Sequence, residues 1–320
     1  MAQLSTDELF TAQNGEFTVP LSNRDVNPPK STHCNYSRYW NPPELSNGER
    51  ISVDMIRISL TFQSNGGEAL VNGYALRTVP CDTFTAYPPR IRSNGYYELM
   101  KFEYGDSSAI VGIGHYSNAC KLDMHKGFIE FNPNKVGNDK RLGVLLHILG
   151  MYTTKATVKR YDLAHDLPHS RKSIRLSKDR RTYHLVQSEG LTEYLGMRDR
   201  EGYVKVYDKQ AEAGLDTPLT RIELTCKGEW TNDEIIKHYP QVTYYKHPTN
   251  VSNQTEVIGL LIADRVERGE SVEEYLKLLN RKTRDKVREF QPNQITLPSG
   301  ALEHVNILLQ HWTGYFIKER

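Results

Sequence analysis

Three predicted strands of this chain each carry one acidic residue between apolar neighbours. The residues are Glu130, Asp162 and Glu223. A carboxylate in a sheet must face solvent, pair with a cation or bind a metal, because burying it bare is costly. If neighbouring strands bring the three together, they form an all-oxygen site of the kind that Mg²⁺ and Mn²⁺ prefer. The alternative is that each carboxylate lies on a wet sheet face beside an arginine.

Asp166 extends this acidic pattern, because it follows Asp162 by four residues and shares its face on a strand. It is either a further ligand or the polar end of the strand. His165 and His169 have a spacing that suits a metal only on a helix, which Pro168 would interrupt.

A tyrosine between two lysines is the candidate nucleophile. In residues 202–209, strand alternation puts Tyr203, Lys205, Tyr207 and Lys209 on one face and two valines on the other. Nearby positive charge favours the phenolate and so lowers the pKa of Tyr207, as a nucleophile requires. The alternative is a half-exposed edge strand whose tyrosines pack flat.

Basic residues collect in two runs, although 41 Lys and Arg against 39 Asp and Glu leave a formal charge of only +2. Such runs can neutralise DNA phosphates even in a nearly neutral chain. The alternatives are a solvated loop and a solvated helix face. The first run comprises Arg171, Lys172, Arg175, Lys178, Arg180 and Arg181, and the second comprises Arg281, Lys282, Arg284, Lys286 and Arg288.

Composition and missing motifs narrow the functional classes. The chain has 320 residues, no apolar run long enough for a membrane span and no N-terminal signal-peptide pattern. Its four cysteines are scattered, which predicts reduced thiols in a cytoplasmic protein. The phosphate-binding glycine loops, the zinc-protease motif, the serine-hydrolase motif and the His-hydrophobic-His motif of most nicking enzymes are all absent.

The predicted strands and helices that position these residues indicate an α+β fold. In this fold, helices pack on a central antiparallel sheet, and the C-terminal region is helical. Turn-forming residues predict an N-terminal arm over residues 1–48, before a domain over 49–240 and a helical region over 241–320. Glycine pairs near residues 66 and 73 predict loops. We expect a helix over residues 140–151 and strands over 53–62, 127–132, 158–164, 193–195, 203–207 and 220–225.

Two apolar stripes predict helices in the C-terminal region. A capping box at residues 271–274 precedes the first stripe. The first stripe comprises Val272, Tyr275, Leu276 and Leu279, and the second comprises Leu302, Val305, Leu309, Trp312 and Phe316.

In order and spacing, five segments resemble the Rep_trans family of rolling-circle plasmid replication initiators. They are residues 129–135, 160–166, 193–199, 204–209 and 220–224. The resemblance implies a nickase/relaxase-like catalytic core that cuts one strand at the double-strand origin of a plasmid. It also implies a homodimer that recruits a host helicase, and a C-terminal region that discriminates between origins.

The same resemblance assigns roles to individual residues. Residues 206–209 match a segment that ends Ile-Tyr-Asn-Lys, so Tyr207 is the expected nucleophile, and Tyr194 is the runner-up. Glu130, Asp162 and Glu223 match acidic positions that hold Mg²⁺ or Mn²⁺, and Asp166 matches less closely.

The implied reaction is a transesterification. Tyr207 attacks a phosphodiester in single-stranded or extruded hairpin DNA, which forms a 5′-phosphotyrosyl link and frees a 3′-hydroxyl primer. Lys209 stabilises the phenolate or a phosphate oxygen. The alternatives are a sequence-specific DNA-binding regulator without catalysis, and a relaxase- or transposase-like nickase, which would normally carry the missing histidine motif.

Overall fold

The computed structural model describes residues 48–87, 95–117, 121–187, 191–198, 200–244, 254–267, 272–288, 293–298 and 300–316. In these residues the fold is α+β, with antiparallel sheets and packed helices, as the sequence predicts. The predicted arm at residues 1–48 lies outside the described residues except for Gly48. None of the helices in the described ranges is long and apolar enough to span a membrane.

The described residues form thirteen strands and nine α-helices. The strands are β1 (Arg50–Phe62), β2 (Thr83–Tyr87), β3 (Tyr96–Tyr104), β4 (Ser107–Tyr116), β5 (Leu122–Phe131), β6 (Thr153–Leu167), β7 (Ile174–Leu176), β8 (Tyr183–Gln187), β9 (Leu191–Leu195), β10 (Val204–Asp208), β11 (Thr220–Lys227), β12 (Val242–Tyr244) and β13 (Asn293–Ile295). The helices are α1 (Gly66–Asn72), α2 (Pro133–Val136), α3 (Lys140–Tyr152), α4 (Lys209–Ala213), α5 (Asn232–His238), α6 (Gln254–Glu267), α7 (Val272–Lys277), α8 (Arg281–Arg288) and α9 (Ala301–Gly314).

The chain divides into two compact units. The first comprises the described residues within Met55–Lys159 and Asn306–Arg320, and its strands follow the order β2-β3-β4-β5-β1. Alternate residues of β1 (Ile56, Ile58 and Leu60) are almost completely buried, as a strand with one apolar face requires. Trp312 of α9 packs edge-on against Phe131 at 4.8 Å between ring centroids, which fixes the C-terminal helix on this unit.

One predicted loop of the first unit is a helix. The residues around Gly66 and Gly67 begin α1, and Asn65 before them has a left-handed backbone with φ of 63°. A Cβ atom on Gly67 would lie 2.0 Å from the carbonyl oxygen of Met124. Glycine is present here because α1 approaches β5 closely, which the turn-based prediction did not take into account.

The second unit comprises the described residues within Pro42–Asp54 and Arg160–Val305, so β1 and β6 each contribute to both units. Its strands follow the order β6-β11-β10-β9-β8. One face of this sheet has an apolar centre, since Val204, Val206, Ile222 and Leu224 have no exposed surface. Strand β10 is interior, and the alternative of a half-exposed edge strand is therefore wrong.

The rest of the second unit contains a small sheet of order β13-β12-β7 and the helices α6, α7 and α8. Ile262 and Leu276 form a small apolar cluster with Tyr275 and Leu279 at its margin, so that the first predicted stripe is confirmed for these residues. The second stripe is confirmed as the buried side of α9. The described residues from 306 onward belong to the first unit, and the predicted domain boundary at residue 241 stays a prediction.

Candidate functional site

One face of the second unit's sheet is polar, opposite its apolar face. Directly paired residues of antiparallel strands point to the same side, and here Tyr207 pairs with Arg221, which pairs with Asp166. Lys205 pairs with Glu223, and Thr225 pairs with Asp162. We call this set the polar face: Asp162, Asp166, Lys205, Tyr207, Arg221, Glu223 and Thr225.

Tyr207 and Glu223 form the central contact of the polar face. The Tyr207 hydroxyl donates a hydrogen bond to Glu223 Oε1 at 2.6 Å, and the tyrosine is only 5% exposed. Burial and the adjacent Glu223 carboxylate raise the pKa of Tyr207. The prediction that flanking lysines lower this pKa is therefore wrong, because the negative partner and burial outweigh them.

The two lysines do lie near the tyrosine as predicted. The Lys205 ammonium lies 3.7 Å from the centroid of the Tyr207 ring, and that of Lys209 lies 5.8 Å away. Lys209 begins α4 and forms an ion pair with Glu212. Both ammonium groups are therefore positioned over the ring, where they can neutralise negative charge that arrives at the phenol.

Burial raises the pKa of two carboxylates on the polar face. The pKa of Glu223 is raised by burial, against the lowering effects of the Tyr207 hydrogen bond and the Lys205 charge. The pKa of Asp162 is raised to about 6 by burial and by the charges of Glu223 and Asp54. Thr225 opposes this shift by donating a hydrogen bond to Asp162 at 2.8 Å. Glu223 is thus a proton acceptor in direct contact with a tyrosine hydroxyl.

An arginine that the sequence analysis missed lies beside Tyr207 and Glu223. Arg221 donates two hydrogen bonds to Asp166, at 2.6 and 2.8 Å, and a third to Asp54 at 3.1 Å. Its position two residues before Glu223, on the same strand face, was the available signal. For Asp54, the available signal was only its residue type, an acidic residue in a predicted strand.

Glu130 belongs to the first unit, on β5. It pairs with Arg57 of β1, whose Nε donates to Glu130 Oε2 at 2.6 Å. The alternative in which a sheet carboxylate lies beside an arginine therefore describes Glu130.

The four predicted metal ligands differ in their contacts, and their binding of Mg²⁺ or Mn²⁺ stays a prediction. In the part of the chain that the structure describes, no three His, Cys, Asp or Glu side chains lie close enough together to hold a metal ion. Two of the four predicted ligands, Glu130 and Asp166, are bonded to arginines. The remaining two, Asp162 and Glu223, lie on the polar face.

The first basic run is divided between buried and exposed residues. Arg171 is 1% exposed, forms an ion pair with Glu193 and donates to the Ile174 carbonyl at 2.8 Å. Glu193 pairs with Val206 and thus lies on the apolar side of the sheet. Assigning Arg171 to DNA binding is therefore wrong. Arg181 donates hydrogen bonds to the carbonyls of Gly202 and His238. The exposed members of the run are Lys172, Arg175, Lys178 and Arg180.

The second basic run forms α8. Arg281 and Lys282 are exposed, whereas Arg284 is half-buried and donates to the Leu279 carbonyl at 3.0 Å. The Lys286 side chain lies outside what the structure describes. Arg281 and Lys282 are thus the two predicted DNA contacts that this helix visibly presents to solvent.

Comparisons with known proteins give similarity at the level of structure. No protein-family model matches the chain, and no curated protein matches it. Among solved structures, the chain is similar to a rolling circle replication initiator protein from Geobacillus stearothermophilus, with 14% sequence identity and a TM-score of 0.35. The similarity covers 66% of this chain and 91% of that chain.

Proposed function

We propose that this chain initiates rolling-circle replication by nicking and rejoining one strand of origin DNA through Tyr207. The observation that carries the proposal is the 2.6 Å hydrogen bond from the Tyr207 hydroxyl to Glu223. With this hydrogen bond, the proposed nucleophile would lie against a proton acceptor, on a face that also carries Lys205 and Arg221. A nucleophile beside a positioned base is the arrangement that covalent catalysis requires.

The proposed step is a transesterification that conserves the phosphodiester bond. The Tyr207 proton passes to the Glu223 carboxylate, and the phenolate oxygen attacks phosphorus. The bond from phosphorus to the 3′-oxygen breaks, and that oxygen takes a proton to become the primer hydroxyl. The 5′-phosphate stays on Tyr207, so the reverse reaction can rejoin the strand without ATP.

Cations around the tyrosine would neutralise the charge that develops on the phosphate. Lys205 and Lys209 flank the ring, and Arg221 pairs directly with Tyr207 across the two strands. Preorganised positive charge in a partly buried site stabilises a transition state more strongly than the same charge in water. Dependence of the nicking reaction on Mg²⁺ or Mn²⁺ stays a prediction.

The DNA would be held by the exposed basic residues rather than by the whole of each run. Lys172, Arg175, Lys178 and Arg180 would contact backbone near the site, and Arg281 and Lys282 of α8 would contact duplex origin DNA. Assembly as a homodimer and recruitment of a host helicase belong to the same proposal.

The decisive experiment incubates the protein with supercoiled DNA that carries its origin, in the presence of Mn²⁺. We expect nicked circles with covalently bound protein, detected after denaturation with detergent. Tyr207→Phe should abolish the adduct, and Tyr194→Phe should retain it. The reverse result would transfer the nucleophile to Tyr194, the runner-up.

One observation favours a second candidate, a sequence-specific DNA-binding regulator without catalysis. Tyr207 is nearly buried and its pKa is raised, which would suit a structural tyrosine. The regulator would bind origin DNA with strong salt dependence. In the same plasmid experiment it would form no adduct with any variant.

A further inference from the structure

A row of polar side chains crosses the polar side of the second unit's sheet from its edge to Glu223. His184 of the edge strand β8 pairs with Tyr194, which pairs with Lys205, which pairs with Glu223. Directly paired residues point to the same side. Neighbouring strands lie about 4.8 Å apart, so Tyr194 is about 10 Å across the sheet from Glu223. The row therefore connects exposed His184 to the proposed reaction centre.

Two tyrosines on this side form a stacked pair next to the row. The rings of Tyr194 and Tyr203 are 5.9 Å apart between centroids, with 16° between their planes. Both side chains are half-buried, and Tyr203 lies directly before β10, two residues before Lys205. A ring pair that is nearly parallel and partly open offers a flat surface beside a lysine ammonium.

The turn between β9 and β10 adds positive charge beside these rings. Arg198 and Arg200 are exposed there, as is Arg180 before β8. The described acid of this turn, Glu201, is paired with Lys227 at 3.3 Å. The surface around the rings is therefore complementary to a polyanion.

We propose that Tyr194 and Tyr203 form a base-stacking subsite for single-stranded DNA, which leads the strand to Tyr207. The inference rests on the proposed function, because it concerns the strand to be nicked. An unpaired base offers a free face to an aromatic ring, while its backbone meets Lys205 and the turn arginines. The bases of an intact duplex are already stacked on one another, so this surface selects a single strand.

This subsite gives Tyr194 a role that needs its ring and not its hydroxyl. Tyr194→Phe keeps the ring, whereas Tyr194→Ala removes it. A nucleophilic role would make both variants fail, so the pair of variants separates the two assignments.

The test measures binding of the full-length protein to labelled oligothymidylate of about 20 nucleotides, longer than the single-strand site of one binding fold. An abasic oligonucleotide of equal length carries the same backbone charge without bases. We expect Tyr194→Ala and Tyr203→Ala each to weaken oligothymidylate binding at least about fivefold, as loss of one stacked base implies. Both variants should bind the abasic strand as the wild type does.

Matched variants complete the test. Tyr194→Phe and Tyr74→Ala, which changes a tyrosine that is 68% exposed in the first unit, should both leave oligothymidylate binding unchanged. The subsite is overturned if wild-type protein does not bind oligothymidylate, or if the ring deletions weaken abasic binding equally. If stacking is found but origin DNA yields no covalent adduct, the nicking proposal fails and the subsite stands.

Discussion

At the scale of single residues, the chemistry depends on what each carboxylate contacts. Glu130 and Asp166 each accept hydrogen bonds from an arginine side chain, whereas Glu223 accepts a hydrogen bond from the Tyr207 hydroxyl. Asp162 accepts a hydrogen bond from the Thr225 hydroxyl, and burial raises its pKa to about 6. Burial thus raises the pKa of Asp162 and of Glu223, the two carboxylates of this set whose described hydrogen bonds come from hydroxyl groups.

Replacing the proposed proton acceptor should slow covalent adduct formation. Glu223→Gln keeps the shape of the side chain but removes its ability to accept the Tyr207 proton. We expect the rate of adduct formation to fall by about 10²- to 10⁴-fold, the usual contribution of a general base. Single-turnover assays on origin DNA measure this rate. Glu103→Gln, in the ion pair with Lys101 of the first unit, is the matched control and should react at the wild-type rate.

Asp162 should make the stability of the protein depend on pH. Its folded pKa of about 6 lies above the ordinary value of 3.8 for an aspartate, so the folded state binds the proton more tightly than the unfolded state. The free energy of unfolding should therefore decrease as the pH rises from about 4 to 6 and stay constant above that range.

Asp162→Asn should remove this decrease, and urea titrations at several pH values would show it. The variant should gain stability relative to wild type above pH 6, by at most about 3 kcal/mol, since each pKa unit corresponds to about 1.4 kcal/mol. A difference in unfolding free energy between variant and wild type that stays the same between pH 4 and 6 would contradict the assignment. Glu223, whose pKa is also raised, would contribute in the same direction.

At the scale of elements, the pairing of β6 with β11 assembles the polar face from residues far apart in the chain. Asp166 and Arg221 are 55 positions apart, yet they are direct partners in this ladder. Their contact, shared with Asp54, is largely buried. The arrangement ties three strand segments together through one guanidinium group.

Breaking this contact from one side should be strongly destabilising. Arg221→Met leaves Asp166 and Asp54 without their cation, and a buried charge without its partner costs about 3–5 kcal/mol of unfolding free energy. Adding Asp166→Leu should recover part of that loss, which urea denaturation can measure.

Arg57→Met is the comparison, because Arg57 is 34% exposed in its pair with Glu130. Because this pair is only partly buried, the loss of unfolding free energy should be smaller than for Arg221→Met. Equal losses for the two arginine variants would show that burial does not set their contributions.

Strand alternation predicts much of the candidate site, but pairing between strands does not follow from local sequence. Alternation correctly placed Lys205 and Tyr207 on one face and the intervening valine on the other. It could not show that Glu130 faces Arg57, because the register of β1 and β5 joins residues 73 positions apart. The burial that raises the pKa of Tyr207 likewise comes from packing around β10, which composition does not reveal.

At the scale of the whole molecule, a net charge of +2 conceals how the bases are used. Within one short run, Arg171 is buried against Glu193, Arg181 caps backbone carbonyls, and Lys172 and Arg175 are exposed. Only the exposed members can release counterions from DNA. A count of basic residues that are close in sequence therefore overestimates how many of them are exposed to DNA.

Exposed and buried members of this run should differ in how they affect DNA binding. Lys172→Ala combined with Arg175→Ala should weaken binding to all DNA sequences and reduce the slope of log affinity against log salt by about 2. Binding titrations at several salt concentrations measure the slope.

Two exposed lysines of the first unit provide the control. Lys155→Ala with Lys159→Ala removes the same charge and should leave the slope unchanged. An equal decrease for both pairs would indicate that only total charge matters. Arg171→Met should instead lower stability, because it leaves Glu193 buried without its cation.

The guanidinium of Arg221 also limits how this protein can diverge. Since it balances Asp54 and Asp166 together, losing one of the three residues leaves a charge unbalanced in a largely buried place. Viable lineages should therefore change positions 54, 166 and 221 in concert. An alignment of homologues would record this as covariation among three positions distant in the chain, while exposed positions such as 172 and 175 drift independently.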